Sequence, residues 1–223
     1  IDPFGQSHHV CYDKYSLLVE EVHDPLHNIV SSRNDYRVLA PVLLTDPNLN
    51  RIAVESDALG MVVKTAVMGK AGAGEGDSLA DPTTKVEYDV LRWKNSGGTQ
   101  PVFVHAMARE RHGGANPRWQ ESYSYSDGFG REVMKKVQAE PGEVPVLDAA
   151  GRLLRNADGS PQTRHEDNRW VGTGRTVFDN KGNPVKKYEP FFSDTLEYES
   201  EKDLVEWGVT PILRYDPLGR LIR

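Results

Sequence analysis

Aspartate recurs every 11 positions at the start of this chain: Asp2, Asp13, Asp24, Asp35, Asp46 and Asp57. Proline follows every second one, in Asp2-Pro3, Asp24-Pro25 and Asp46-Pro47, so the repeating unit is 22 residues built from two halves of 11. Eleven residues hold one strand of about five to seven and one turn of about four. Asp closes turns with its own side chain, Pro fixes φ at the following position, and Gly supplies positive φ. The runs between turns are rich in Val, Ile, Leu, Tyr and Thr and show no sustained helical period. Residues 7–12, 17–22, 51–56 and 61–67 are the clearest of these strand runs. The spacing predicts an all-β chain, a meander of antiparallel β-hairpins.

Past residue 68 the spacing loosens but the turn persists, as Asp, two residues, Gly, then usually Arg and an apolar strand start. It reads Asp127-Gly128-Phe129-Gly130-Arg131, Asp148-Ala149-Ala150-Gly151-Arg152, Asp179-Asn180-Lys181-Gly182-Asn183 and Asp216-Pro217-Leu218-Gly219-Arg220. An aromatic precedes Asp in several copies: Tyr12 before Asp13, Tyr88 before Asp89, Phe178 before Asp179 and Tyr215 before Asp216. The pattern predicts an inward-packed aromatic, an Asp-closed turn, Gly in the left-handed position and Arg opening the return strand. In the early units Asp35 and Asp57 with Gly60 continue the series, while His27 and Leu49 stand where Gly is usual, which predicts irregular turns there. Residues 1–68 therefore read as regular 22-residue repeats and 69–223 as degenerate repeats of the same array carrying insertions. The insertions are Gly69–Asp81, expected to be flexible, Lys94–Gln100, Arg111–Pro117 and Asn156–Asn168. At most one short helix is expected, over Ser200–Gly208, with Ser200 and Asp203 as a capping box and Leu204 and Trp207 on one face.

Charge and chemistry narrow the function. Lys and Arg number 27 against 33 Asp and Glu, a net charge of −6, and no basic cluster offers a nucleic-acid or anionic-membrane face. No apolar run approaches the roughly 18 residues of a membrane helix, and residues 1–5 carry no export signal, as expected of a segment cut from a longer protein. The single cysteine, Cys11, excludes an internal disulfide and reads as a half-buried strand thiol rather than a nucleophile. His8 and His9 point to opposite strand faces and His23 and His27 flank a turn, so no metal site is expected. No Gly-x-Ser-x-Gly elbow, dinucleotide fingerprint or P-loop occurs, and no cofactor is expected; the chain reads as non-enzymatic. Trp93, Trp119, Tyr123, Tyr125 and Trp170 leave two readings open, hairpin core or an aromatic surface that docks glycans or a protein receptor.

Two stretches carry a family resemblance. Tyr215-Asp216-Pro217-Leu218-Gly219-Arg220-Leu221 resembles the hallmark of Rhs/YD-repeat proteins. Trp170 to Phe178 (Trp-Val-Gly-Thr-Gly-Arg-Thr-Val-Phe), with Asp179 to Phe192, and Arg118 to Glu132 are similar to the later part of the B component of bacterial Tc insecticidal toxin complexes, or of related SpvB/TcdB-type proteins. The resemblance implies a hollow shell of spiralling hairpins, formed by B and C components around an unfolded toxic C-terminal segment of the C component. A separate pore-forming A component then moves that segment into a host cell. The resemblance further implies a secreted bacterial complex in which this chain contacts other repeats of its parent. The family's autoproteolytic aspartates match no stretch here, so no catalytic residue is carried over. An adhesive repeat surface is the competing expectation.

Overall fold

The computed structural model describes residues 3–113, 116–200, 202–206, 208 and 211–222. The chain divides into two compact units, residues 1–87 with 106–119, and residues 88–105 with 120–223. The sequence division at residue 68 marks where the spacing loosens; the spatial division falls elsewhere. Among the described residues no helix is long and apolar enough to cross a membrane.

In the first unit the 11-residue rhythm becomes one strand per half-unit: β1 (His9–Tyr12), β2 (Val19–His23), β3 (Ile29–Asp35), β4 (Ala40–Thr45), β5 (Arg51–Ser56), β6 (Val62–Met68) and β7 (Thr84–Asp89). Each pairs antiparallel with the next, the hairpin being the shortest way to reverse an extended chain. The β7 strand belongs here through Glu87. Apolar burial in this unit is confined, among the described residues, to Ala53, Ala66 and Pro82. The 69–81 insertion is held rather than loose: Met68 bridges Gly76, the Gly69 N–H donates to the Glu75 carbonyl at 2.9 Å, and Asp77 is buried. Gly76 is required there, because a Cβ would lie 2.7 Å from the Val67 carbonyl oxygen.

The second unit adds α1 (Arg92–Asn95), β8 (Val102–Arg109, as far as His105), β9 (Trp119–Ser126, from Gln120) and β10 (Glu132–Ala139). Then follow β11 (Gly142–Pro145), β12 (Thr163–Glu166), β13 (Arg169–Gly172), β14 (Thr176–Phe178), β15 (Pro184–Lys187), β16 (Phe191–Ser193) and α2 (Lys202–Val205). Antiparallel pairing runs β9–β10–β13–β16, while β11–β12 and β14–β15 are separate hairpins looped out between those strands. The 156–168 insertion is thus partly ordered strand, not loop. The α2 element lies within the expected helix, but Trp207 and the Asp203 side chain fall outside what is described; Leu204 and Val205 supply its buried face. The α1 element is a further single turn with no side-chain cap, which is why no sequence signal marks it. The core gathers Tyr123, Tyr125, Met134, Trp170, Phe191, Leu204 and Val205.

Candidate functional site

The turn residues form a lattice of one repeated hydrogen-bond pattern. In the turn at Asp127 the carboxylate Oδ1 accepts the N–H of Phe129 at 2.9 Å and of Arg131 at 3.0 Å, while the Gly130 N–H donates to the Asp127 carbonyl at 3.0 Å. Asp57, Asp148, Asp179 and Asp216 repeat it, with Gly60, Gly151, Gly182 and Gly219 at positive φ. The second carboxylate oxygen is held by the residue four places on. Arg131, Arg152 and Arg220 donate Nε at 2.8, 2.9 and 2.7 Å. Asn28, Asn50 and Asn183 do the same for Asp24, Asp46 and Asp179 at 2.7, 3.0 and 3.1 Å. That Asn went unread in the sequence, although it stands at the Arg position of the motif.

The expected irregularity at His27 and Leu49 is not found. Both adopt positive φ, +64° and +70°, and both donate their N–H to the turn Asp as Gly does, since the carboxylate's bonds outweigh the side chain's strain. The departure lies at Asp35, where Leu39 takes positive φ one position later and the turn is longer by a residue. At Asp13 the second oxygen accepts the Tyr36 hydroxyl at 2.5 Å, which pushes that phenol up to about 12. Tyr12 is exposed rather than packed inward, because β1 has little on its side of the sheet to cover a phenol, whereas Tyr215 is half-buried and donates to the Pro184 carbonyl at 2.9 Å. Cys11 is likewise exposed, not half-buried.

Three buried charges escaped the sequence reading, since nothing along the chain announces their partners. Arg109 Nη1 donates to Asp77 at 2.5 Å and its Nη2 donates to Asp81. Asp77 also accepts from Thr83 and approaches His112 Nδ1, both at 2.6 Å, and accepts the Gly113 N–H at 3.1 Å. Burial opposes its charge, but these donors outweigh burial and hold the carboxyl well below the usual range. In the second unit Lys136 is wholly buried and donates to Glu199 at 2.5 Å and to the Thr195 carbonyl at 2.7 Å. Burial holds its pKa below the ordinary lysine value, against the opposing pull of Glu199.

The two sheet faces of the first unit differ. Cross-strand register aligns Val10, Val22 and Val30, and then, two residues on along β3, Ser32, Leu44, Ile52 and Val67. Of these, Val10, Val30, Leu44, Ile52 and Val67 are each 37–46% exposed, an aliphatic band across the strands that no described residue of this unit covers fully. Val30, Leu44, Ile52 and Val67 line a shallow groove of about 710 Å³. The opposite face carries His9, Cys11, Glu21, His23, Ser31, Thr45 and Arg51. Of the aromatics, Tyr123, Tyr125 and Trp170 are core, Trp119 is half-buried beneath Lys85 and Arg109, and Trp93 is exposed.

No protein-family profile matches the sequence. No curated protein matches it either. Solved structures do. A crystal structure of TcdB2-TccC3 superposes with a TM-score of 0.73 at 26% identity, covering 96% of this chain and 11% of that one. TcdB2-TccC3 without its hypervariable C-terminal region gives 0.72 at 22%, over 96% and 13%. The Photorhabdus luminescens Tc holotoxin pore gives 0.74 at 22%, over 96% and 13%. This chain therefore spans little more than a tenth of the length of those it matches, and at 22% the likeness is one of fold. Over nearly its whole length, the chain has the fold of a segment of Tc toxin complex proteins, as the YD-repeat and Tc-like stretches of its sequence led us to expect.

Proposed function

We propose that this chain is a non-enzymatic wall segment of a secreted Tc-type toxin-delivery protein. In this reading it forms part of the hairpin shell that encloses a toxic C-terminal segment before translocation into a host cell. The observation that carries the proposal is the aliphatic band, found on a chain whose fold neighbours are Tc complexes. An unfolded polypeptide presents apolar side chains at irregular spacing. A smooth row of Val, Leu and Ile meets them anywhere along its length, weakly and without sequence preference. The described buried acids and bases support a structural role, because Asp77, Arg109 and Lys136 are engaged with one another or with neighbouring carboxylates. The adhesive reading is weaker, since three of the five aromatics it relies on are packed in the core.

The test is made in the full-length parent protein together with its C-component partner. Leu44→Glu with Ile52→Glu places two charges in the band. The expected result is normal folding and assembly, with faster protease digestion of the partner's C-terminal segment. Unchanged protection of that segment would count against the band as a lining, and a native parent of only about 25 kDa would remove the shell reading altogether. A glycan panel discriminates the alternative: saturable binding lost in Trp119→Ala, with folding intact, would favour adhesion.

A further inference from the structure

The β1–β2 hairpin brings together three donors that lie 10 and 12 residues apart along the chain. Cys11 faces Glu21 directly across the ladder, and His23 lies on the same face one pair along, opposite His9. The Cys11 Sγ, a Glu21 carboxylate oxygen and a ring nitrogen of His23 all lie within 4.8 Å of one another. His23 Nε2 is 2.8 Å from Glu21 Oε2, so two of the donors already converge. Cys11 is exposed while Glu21 and His23 are half-buried, which leaves the thiol reachable and the other two positioned.

We propose that this face of the hairpin binds a single zinc ion through Cys11, Glu21 and His23. Thiolate, imidazole and carboxylate together suit a borderline cation such as zinc, and the thiolate and imidazole disfavour calcium and magnesium, which take oxygen ligands. Ligands about 2.0–2.3 Å from one ion sit within about 4 Å of each other, a separation these side chains reach by rotamer adjustment alone. The fourth position is open to water. On binding, the Cys11 thiol releases its proton to solvent and its sulfur lone pair goes to the metal. The proton that His23 Nε2 donates to Glu21 moves through solvent to Nδ1, which leaves the Nε2 lone pair for the ion in place of that contact. The site fastens β1 to β2 on the face opposite the aliphatic band, and it does not depend on what that band covers.

The experiment titrates the 223-residue chain with Co²⁺ and then with Zn²⁺. The expected result is a near-ultraviolet thiolate-to-cobalt charge-transfer band saturating at one ion per chain and abolished by one equivalent of zinc. Cys11→Ser removes the band; Glu21→Ala and His23→Ala each weaken zinc binding at least about tenfold, as removal of a direct ligand should when outer-shell changes already cost that much. His27→Ala leaves it unchanged. Circular dichroism confirms that the variants, all at surface or half-buried positions, remain folded. Absence of the charge-transfer band, or a band of equal strength in the Glu21 and His23 variants, would overturn the site.

Discussion

A carboxylate that accepts two backbone N–H groups and a side chain is a stronger acid than one in water, and this chain multiplies that effect. Asp24, Asp46, Asp127, Asp148, Asp158, Asp179 and Asp216 are all held below the ordinary 3.8 by hydrogen bonds within their own turns, Asp13 chiefly by the Tyr36 hydroxyl, and Asp77 by its donors against burial. The folded chain then binds these protons more weakly than the unfolded chain does. Their stabilisation is complete above 3.8 and is lost as pH falls through the lowered folded values. Urea unfolding at a series of pH values should show stability falling steeply below about pH 4. Lys136 makes a different residue-scale prediction. Lys136→Ala strands Glu199 beside the core and should cost about 3–5 kcal/mol by urea unfolding, whereas Lys136→Met with Glu199→Leu should recover most of it.

At the scale of the element, the turn is the unit that repeats and its left-handed position decides the cost of substitution. A Cβ added at Gly130 would meet open space, so Gly130→Ala tests backbone strain alone and should destabilise by about 1 kcal/mol. Leu49 is already strained at +70° and exposed, so Leu49→Gly should stabilise by about 0.5–1 kcal/mol, the opposite sign at the equivalent position. Thermal unfolding of both variants checks the pair. Gly172 and Gly174, in the stretch that resembles the Tc family, are there for contact instead: a Cβ on Gly172 would meet the Phe191 ring at 2.6 Å, and one on Gly174 the Tyr188 and Glu189 backbone at 2.3–2.4 Å. The hairpins and their turns were legible because Asp, Pro and Gly act locally, within four residues. The Lys136–Glu199 and Arg109–Asp77 pairs were not, because their partners stand 63 and 32 residues away and only the packed structure aligns them. The Cys11–Glu21–His23 face is an intermediate case. The reading along single strands separated His8 from His9, and only the β1–β2 register shows which donors share a face.

Across the whole molecule, burial is unequal. The second unit packs Tyr123, Tyr125, Met134, Trp170 and Phe191 around α2, while the apolar residues the first unit buries, among those described, are only Ala53, Ala66 and Pro82. Native-state hydrogen exchange should therefore protect the amides of β10 and β13 longest and those of β1 to β3 least. Equal protection in the two units would show that sheet hydrogen bonding, not side-chain burial, sets local stability here.

The looped-out hairpins also set the order in which the chain can fold. In the first unit every strand pairs with the one just made, so closure entropy is small and each hairpin can zip as it leaves the ribosome. In the second unit β10 waits for β13, and β13 for β16, across two intervening hairpins. Phe191 and α2 are translated well after Tyr123 and Tyr125, yet they complete the core those two begin. A nascent chain is thus committed to its repeats early and to its core late, and in the interval its aromatic surface is the part most in need of protection from neighbouring chains.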